Sequence, residues 1–265
     1  MFVSLRSVRP RISSLITGPT FRGLKTLTQL PYSTEDGLSP LYSKEALHNI
    51  YNVRQSLLLN RVNELSQDTT FGHENLTEIV KRSSVYPEHI VLYNNASQAW
   101  NTLFFLKSLR KNPSQPSNIV QKTLSMHYGS FEGFKNIFKQ YAKGIFGNGW
   151  TWLAIDNQGK LLIKNTYNGA SLFSIIPENS EGPISISDKD LYKRIKELEN
   201  GKYPTQMDSF SPLKPILCLN MWMDSYMFDF GYDKDRYIDS FWDVVNWDVV
   251  EQRLINSEQS NNALY

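Results

Sequence analysis

Hydrophobic positions along the chain fall into a few periodic runs separated by polar breaks containing Gly and Pro. After Ser43, a residue suited to capping, Leu47, Ile50, Tyr51, Leu58, Val62 and Leu65 recur at helical spacing. They predict a helix that opens near Lys44 with Glu45 in its first turn. Residues 68–75 are polar and include Gly72, so they predict a loop. A second helix is predicted over residues 95–110, carrying Trp100, Leu103, Phe104 and Leu109 and stopped by Pro113 and Pro116. Ser130 opens a third, on which Phe131, Phe134, Phe138, Tyr141 and Ile145 alternate at intervals of three and four before Gly147-Asn148-Gly149 ends it.

The period then changes. Residues 150–155 and 160–166 flank the turn Asp156-Asn157-Gln158-Gly159 and predict a β-hairpin, and residues 215–223 form a third apolar run of strand character. A last long helix is predicted over residues 233–255, with Tyr237, Phe241, Val244, Val245 and Val249 inward. Helices first, then helices mixed with a small antiparallel sheet, define an α+β fold. Residues 30–112 read as an N-terminal helical-hairpin domain and residues 113–255 as a C-terminal α/β domain, with residues 256–265 a frayed tail. A polar insert interrupts the second domain at residues 174–213. Ser187 can cap a short helix there, with Leu191, Ile195 and Leu198 on one face and Gly201 at its end. A connection this long reads either as a surface loop or as a docking element.

Charge sharpens the division. The whole chain of 265 residues carries +2, yet no acidic residue precedes Glu35. Residues 1–29 hold Arg6, Arg9, Arg11, Arg22 and Lys25 among many Ser and Thr, the composition of a mitochondrial transit peptide. Without these five cations the remainder holds 23 basic and 26 acidic side chains, a net charge of −3. Such a balance gives no general attraction to phosphate backbones, so any contact with RNA is expected to be minor or local. No stretch approaches the ~20 apolar residues of a membrane span.

Catalytic constellations are scarce. Cys218 is the only cysteine, which excludes intramolecular disulfides and Cys-rich metal sites. Neither a phosphate-cradling Gly-rich loop nor a Gly-x-Ser-x-Gly elbow occurs. His48, His73, His89 and His127 lack the spacing that would let two of them share a metal on one helical turn.

Several runs together resemble the iron/manganese superoxide dismutases. They are Leu30-Pro31-Tyr32, residues 93–101 (Tyr-Asn-Asn-Ala-Ser-Gln-Ala-Trp-Asn), Gly129-Ser130-Phe131, residues 146–153 (Phe-Gly-Asn-Gly-Trp-Thr-Trp-Leu), Phe241-Trp242 and Val245-Asn246-Trp247. All six Trp fall on family positions. The resemblance implies a metal site built from three histidines and an aspartate, and each of those positions holds another residue here. The histidine positions correspond to Ile50, Thr102 and Asp224, and the aspartate position to Asn220. His48 cannot substitute, because two positions along an α-helix turn it about 200° from Ile50. An amide, a hydroxyl and one carboxylate suit neither iron nor manganese cycling, so no metal or other cofactor is expected.

The resemblance also places Arg54 and Leu58 at the family's gateway positions, and Met223 and Met227 at its subunit contact. Gln98 matches a glutamine that supports the metal-bound solvent, and is expected here to serve as a structural hydrogen-bonding residue. Arg54, Met223 and Met227, with Leu191, Ile195 and Leu198 of the insert, are the candidate partner interface. A buried lone Asp224 would be costly, which predicts its pairing with Arg54. With a transit-like segment and lost ligands, the resemblance points to metal-free superfamily members that serve the small ribosomal subunit of fungal mitochondria. It implies a non-catalytic structural component in the matrix, contacting other small-subunit proteins and pairing with a second dismutase-like subunit. A dismutase with an atypical metal site and a non-ribosomal mitochondrial scaffold are the alternatives.

Overall fold

The computed structural model describes residues 23–84, 86–172 and 213–262. Ser43 does cap the first helix, accepting from the Ala46 N–H at 3.1 Å. That helix is composite: an α turn (α1, Lys44–Leu47), a π-helical stretch (π1, His48–Gln55) and a longer α run (α2, Ser56–Ser66). The expected loop at residues 68–75 lies within a series of turns. It leads to a short helix that the periodicity does not announce (α3, Leu76–Ser83), capped by Asn75 Oδ1 accepting from the Glu78 N–H. The next helix (α4, Ile90–Lys107) starts five residues ahead of its expected position, following a 3₁₀ turn at Pro87–His89. It packs against α2 and α3. Gln55 Nε2 donates to the Ala99 carbonyl at 2.8 Å and ties π1 to α4.

The second half opens with another unannounced helix (α5, Asn118–Tyr128), capped by Ser117, and continues into the expected Phe-rich one (α6, Phe131–Lys143). Three antiparallel strands follow: β1 (Gly149–Ile155), β2 (Leu161–Tyr167) and β3 (Lys214–Asn220), in the order β2–β1–β3. All seven residues of β1 are buried, as the central strand of a sheet covered by α4, α6 and the last helix must be. Gly149 opens β1 because a Cβ there would lie 2.6 Å from the Thr166 carbonyl oxygen.

Strand β3 ends at Asn220, and the remainder of the expected 215–223 run enters a helix (α7, Met223–Phe230). The predicted continuous helix over 233–255 is divided into α8 (Lys234–Trp242) and α9 (Trp247–Asn262). The cause is tertiary. Between them the chain unwinds to pair with the end of α4's connection: the Arg110 N–H donates to the Val244 carbonyl and the Asn246 N–H to that of Ser108, both at 2.8 Å. Val250 and Leu254 face inward, whereas Val249 is only half-buried. The expected frayed tail at 256–265 is helical through Asn262.

Aromatic side chains fill the space between α6, α8 and the start of α9. Phe138 is fully buried, stacked on Phe241 with ring centroids 6.3 Å apart and edge-on to Trp242 at 5.3 Å, while Trp242 stacks on Trp247. Residues 23–29, which the composition assigns to the import segment, include Lys25, whose backbone N–H and C=O both bond the Asn63 side chain. The insert helix with Leu191, Ile195 and Leu198 lies outside the described residues. No helix among the described residues is long and apolar enough to cross a membrane.

Phe138→Ala removes an aromatic ring from a site with no solvent access. It is expected to lower stability by about 3–5 kcal/mol in chemical denaturation, with little change elsewhere in the far-ultraviolet circular dichroism.

Candidate functional site

Four elements converge on the positions at issue. Segment π1 carries Ile50 and Arg54, α4 carries Gln98 and Thr102, β3 ends on Asn220, and α7 carries Asp224 in its first turn. The chain's π-helical winding buries Ile50, Tyr51 and Gln55 together and leaves His48 exposed. His48 therefore does not replace the side chain at position 50.

Arg54 is the hub. Its Nε donates to Asp224 Oδ2 at 2.7 Å, its Nη2 donates to Gln98 Oε1 at 2.8 Å, and its guanidinium lies 4.4 Å from the ring centre of Trp222. The predicted Arg54–Asp224 pair is thus formed, and Gln98 is the hydrogen-bonding residue it was expected to be. Trp222 is the member that sequence reasoning missed, since its apolar ring carries no signal for a cationic neighbour. Side-chain exposure is 20% for Arg54 and 43% for Asp224, so water reaches the carboxylate more readily than the guanidinium. Burial lowers the Arg54 pKa against the opposing pull of Asp224. It likewise raises the Asp224 carboxyl above its usual range, although Arg54 acts to hold it down. The more enclosed Arg54 charge depends on the pair, whereas the Asp224 carboxylate is met by water as well.

Asn220 is committed to the backbone. Its Oδ1 accepts from the Trp222 N–H at 2.9 Å and turns the chain from β3 into α7. Its carbonyl accepts from the Tyr237 hydroxyl at 2.7 Å. With that proton used, the Tyr237 oxygen can only accept in its contacts with Tyr42 and Ser225, at 3.1 and 2.9 Å, and these two also meet each other at 2.5 Å, so two hydroxyl protons serve three contacts. Burial is the main reason that the Tyr42 and Tyr237 phenols stand well above the usual tyrosine pKa, so they remain protonated donors at neutral pH. No sequence signal joins these three residues, which lie up to 195 positions apart.

These residues do not fit iron or manganese. Ile50 offers no donor atom. Thr102 Oγ1 and Asn220 Nδ2 are buried and have no hydrogen-bond partner within the protein, but one is a neutral hydroxyl and the other an N–H donor. Asp224 is the one anionic group and is held by Arg54. Among the described residues, no group of three or more His, Cys, Asp or Glu could hold a metal ion.

Of the proposed interface residues, Met223 is 55% exposed and Met227 is partly buried against the core. Arg54 is turned to the ion pair, and the three insert residues are outside the described range.

Comparison with known proteins fixes the lineage. Residues 116–188 and 186–253 match the iron/manganese superoxide dismutases, C-terminal domain. A superoxide dismutase [Fe] of Bordetella pertussis is 32% identical over 224 residues, which cover 84% of this chain and 95% of that protein. A superoxide dismutase [Fe] of Plasmodium falciparum is 29% identical over 240 residues, 88% of this chain and 98% of that protein. One from Entamoeba histolytica is 29% identical over 228 residues, 86% and 98% of the respective chains. The chain belongs to the iron/manganese superoxide dismutase family, and its α+β fold is the one the resemblance implies. These relatives are named as enzymes, which overturns two expectations: a structural component of the mitochondrial ribosome acting in translation, and a chain outside the enzymes. Loss of ligands at one site does not by itself select a ribosome as the place of work.

Tyr237→Phe removes the donor to the Asn220 carbonyl and an acceptor within the Tyr42–Ser225 group. A loss of about 1–3 kcal/mol in urea denaturation is expected, and Tyr42→Phe, which leaves the Asn220 bond intact, is expected to cost less.

Proposed function

We propose that this chain serves superoxide dismutation as one subunit of a paired assembly, joined to a second dismutase-fold subunit that holds the redox metal. Its similarity to superoxide dismutases [Fe] over more than four-fifths of its length carries the chemical class. Dismutation oxidises one superoxide to O2 and reduces another to hydrogen peroxide with uptake of two protons, and it requires a centre that cycles by one electron. The side chains at positions 50, 102, 220 and 224 supply no such centre, so that requirement falls on a partner.

The surface beside Arg54 favours pairing. Val53 and Met223 are exposed next to the two members of the ion pair, and the Met223 N–H donates to Asn148 Oδ1, which sets Met223 beside the turn that carries the 90% exposed Phe146. Exposed apolar side chains near the ion pair suit a protein contact. The acid-free, Arg-rich segment ahead of Glu35 supports a location in the mitochondrion.

Co-expression with a metal-holding dismutase-fold subunit tests the reading by native mass, metal content and superoxide consumption. A mixed dimer is expected, with the metal held by the partner and dismutase activity dependent on both subunits, and Met223→Lys is expected to weaken pairing by tenfold or more. Isolation of this chain only as a monomer, or a mixed dimer with no dismutase activity, would overturn the proposal.

A further inference from the structure

We infer that the Arg54 guanidinium has taken over the structural place of the family's metal, as a fixed cation that joins the N-terminal helices to α7 in a site closed to iron and manganese. The inference concerns this chain's own site and rests on the same reading of positions 50, 102, 220 and 224 as the pairing proposed above, whereas the Arg54 variants test it separately from any pairing. A metal in this position would have to link groups on π1 and α4 to groups on β3 and α7. Arg54 makes a comparable link from π1 beside those positions: one N–H reaches Gln98 on α4 and another reaches Asp224 on α7, while Thr102 Oγ1 and Asn220 Nδ2 lie outside its bonds. Trp222, between β3 and α7, covers its face. A planar guanidinium is suited to this work because it keeps its charge and presents several N–H donors in fixed directions.

The same geometry excludes an added cation. Asp224 is already neutralised, and a divalent ion drawn to it would sit beside a fixed positive charge whose repulsion is only partly screened at a half-buried position. Ile50 contributes hydrocarbon where a donor would be needed, and Asn220 Oδ1 is engaged by the Trp222 N–H. One cation is therefore present in the cluster, and it is covalently part of the chain.

Metal analysis and thermal unfolding of the full chain provide the test. Protein purified from cells grown with added iron and manganese is expected to carry far less than one ion per chain, and its Tm to be unmoved by excess Fe(II) or Mn(II). Arg54→Met is expected to lower Tm by about 2–4 °C by leaving Asp224 without its counter-charge, and Arg54→Met combined with Asp224→Leu to recover most of that loss. Stoichiometric iron or manganese in the wild-type protein, a metal-induced rise in its Tm, or an Arg54→Met variant with unchanged Tm would each overturn the inference. Should Arg54→Met fail to fold, the wild-type metal content and metal-dependent Tm still decide it.

Discussion

A guanidinium withdrawn from water has to be met on several sides at once, and the arrangement around Arg54 shows what that demands of a fold. Its hydrogen-bond partners lie at residues 98 and 224, far apart in the chain, and its stacking partner is Trp222. For all three to meet it, α4 must pack beside π1 and the β3-to-α7 turn must come back over the N-terminal helices. The Asn220 side chain sets that turn, and the Tyr237–Ser225–Tyr42 group anchors it from below. Removing the charge of either Arg54 or Asp224 would leave the other without its compensation. The polar cluster thus constrains the relation between the two halves of the molecule, even though most of the folding energy comes from elsewhere.

That energy comes from aromatic and aliphatic burial that makes no reference to the cluster. Phe134, Phe138, Phe241, Trp150 and Trp152 are fully buried, and β1 contributes no exposed residue. Packing of this kind depends on volume and shape, so it tolerates any chemistry at positions 50, 102, 220 and 224 that fits the space. Ile50 and Thr102 satisfy that condition as buried side chains without a metal-binding role. A scaffold can therefore retain the architecture of a metalloenzyme family while the ligand chemistry within it changes entirely.

Much of the architecture was legible in the sequence because local periodicity and tertiary demand agree there. The Phe-rich α6, the hairpin of β1 and β2 and the capped start at Ser43 are of that kind. The division between α8 and α9 was not legible, because Val244 and Val245 continue a helical pattern and no Gly or Pro marks the break. The break arises from backbone pairing with residues 108–110, which no local window contains. Helices α3 and α5 escaped notice because they are short, and their caps, Asn75 and Ser117, stand in polar surroundings that read equally well as loop. At the site, the Arg54–Asp224 pair could be anticipated from the cost of an isolated carboxylate. The cover supplied by Trp222 and the phenol–serine group beneath Asn220 could not, since both depend on which faces the folded elements present.

Function was the least legible level, and the reason is physical. Ligand chemistry can reject iron at four named positions, since hydrocarbon, hydroxyl, amide and an already paired carboxylate form no redox site. It has no corresponding power to choose among the roles such a scaffold can serve. Similarity spread over more than four-fifths of the chain constrains the lineage, because it reports on packing and topology throughout the molecule rather than on four side chains. The two kinds of information meet at Arg54. The lineage explains why π1, α4, β3 and α7 converge on one point, and the chemistry of the side chains explains why an internal cation stands at that convergence. Any redox activity must then draw its electrons from a centre that this cation does not provide.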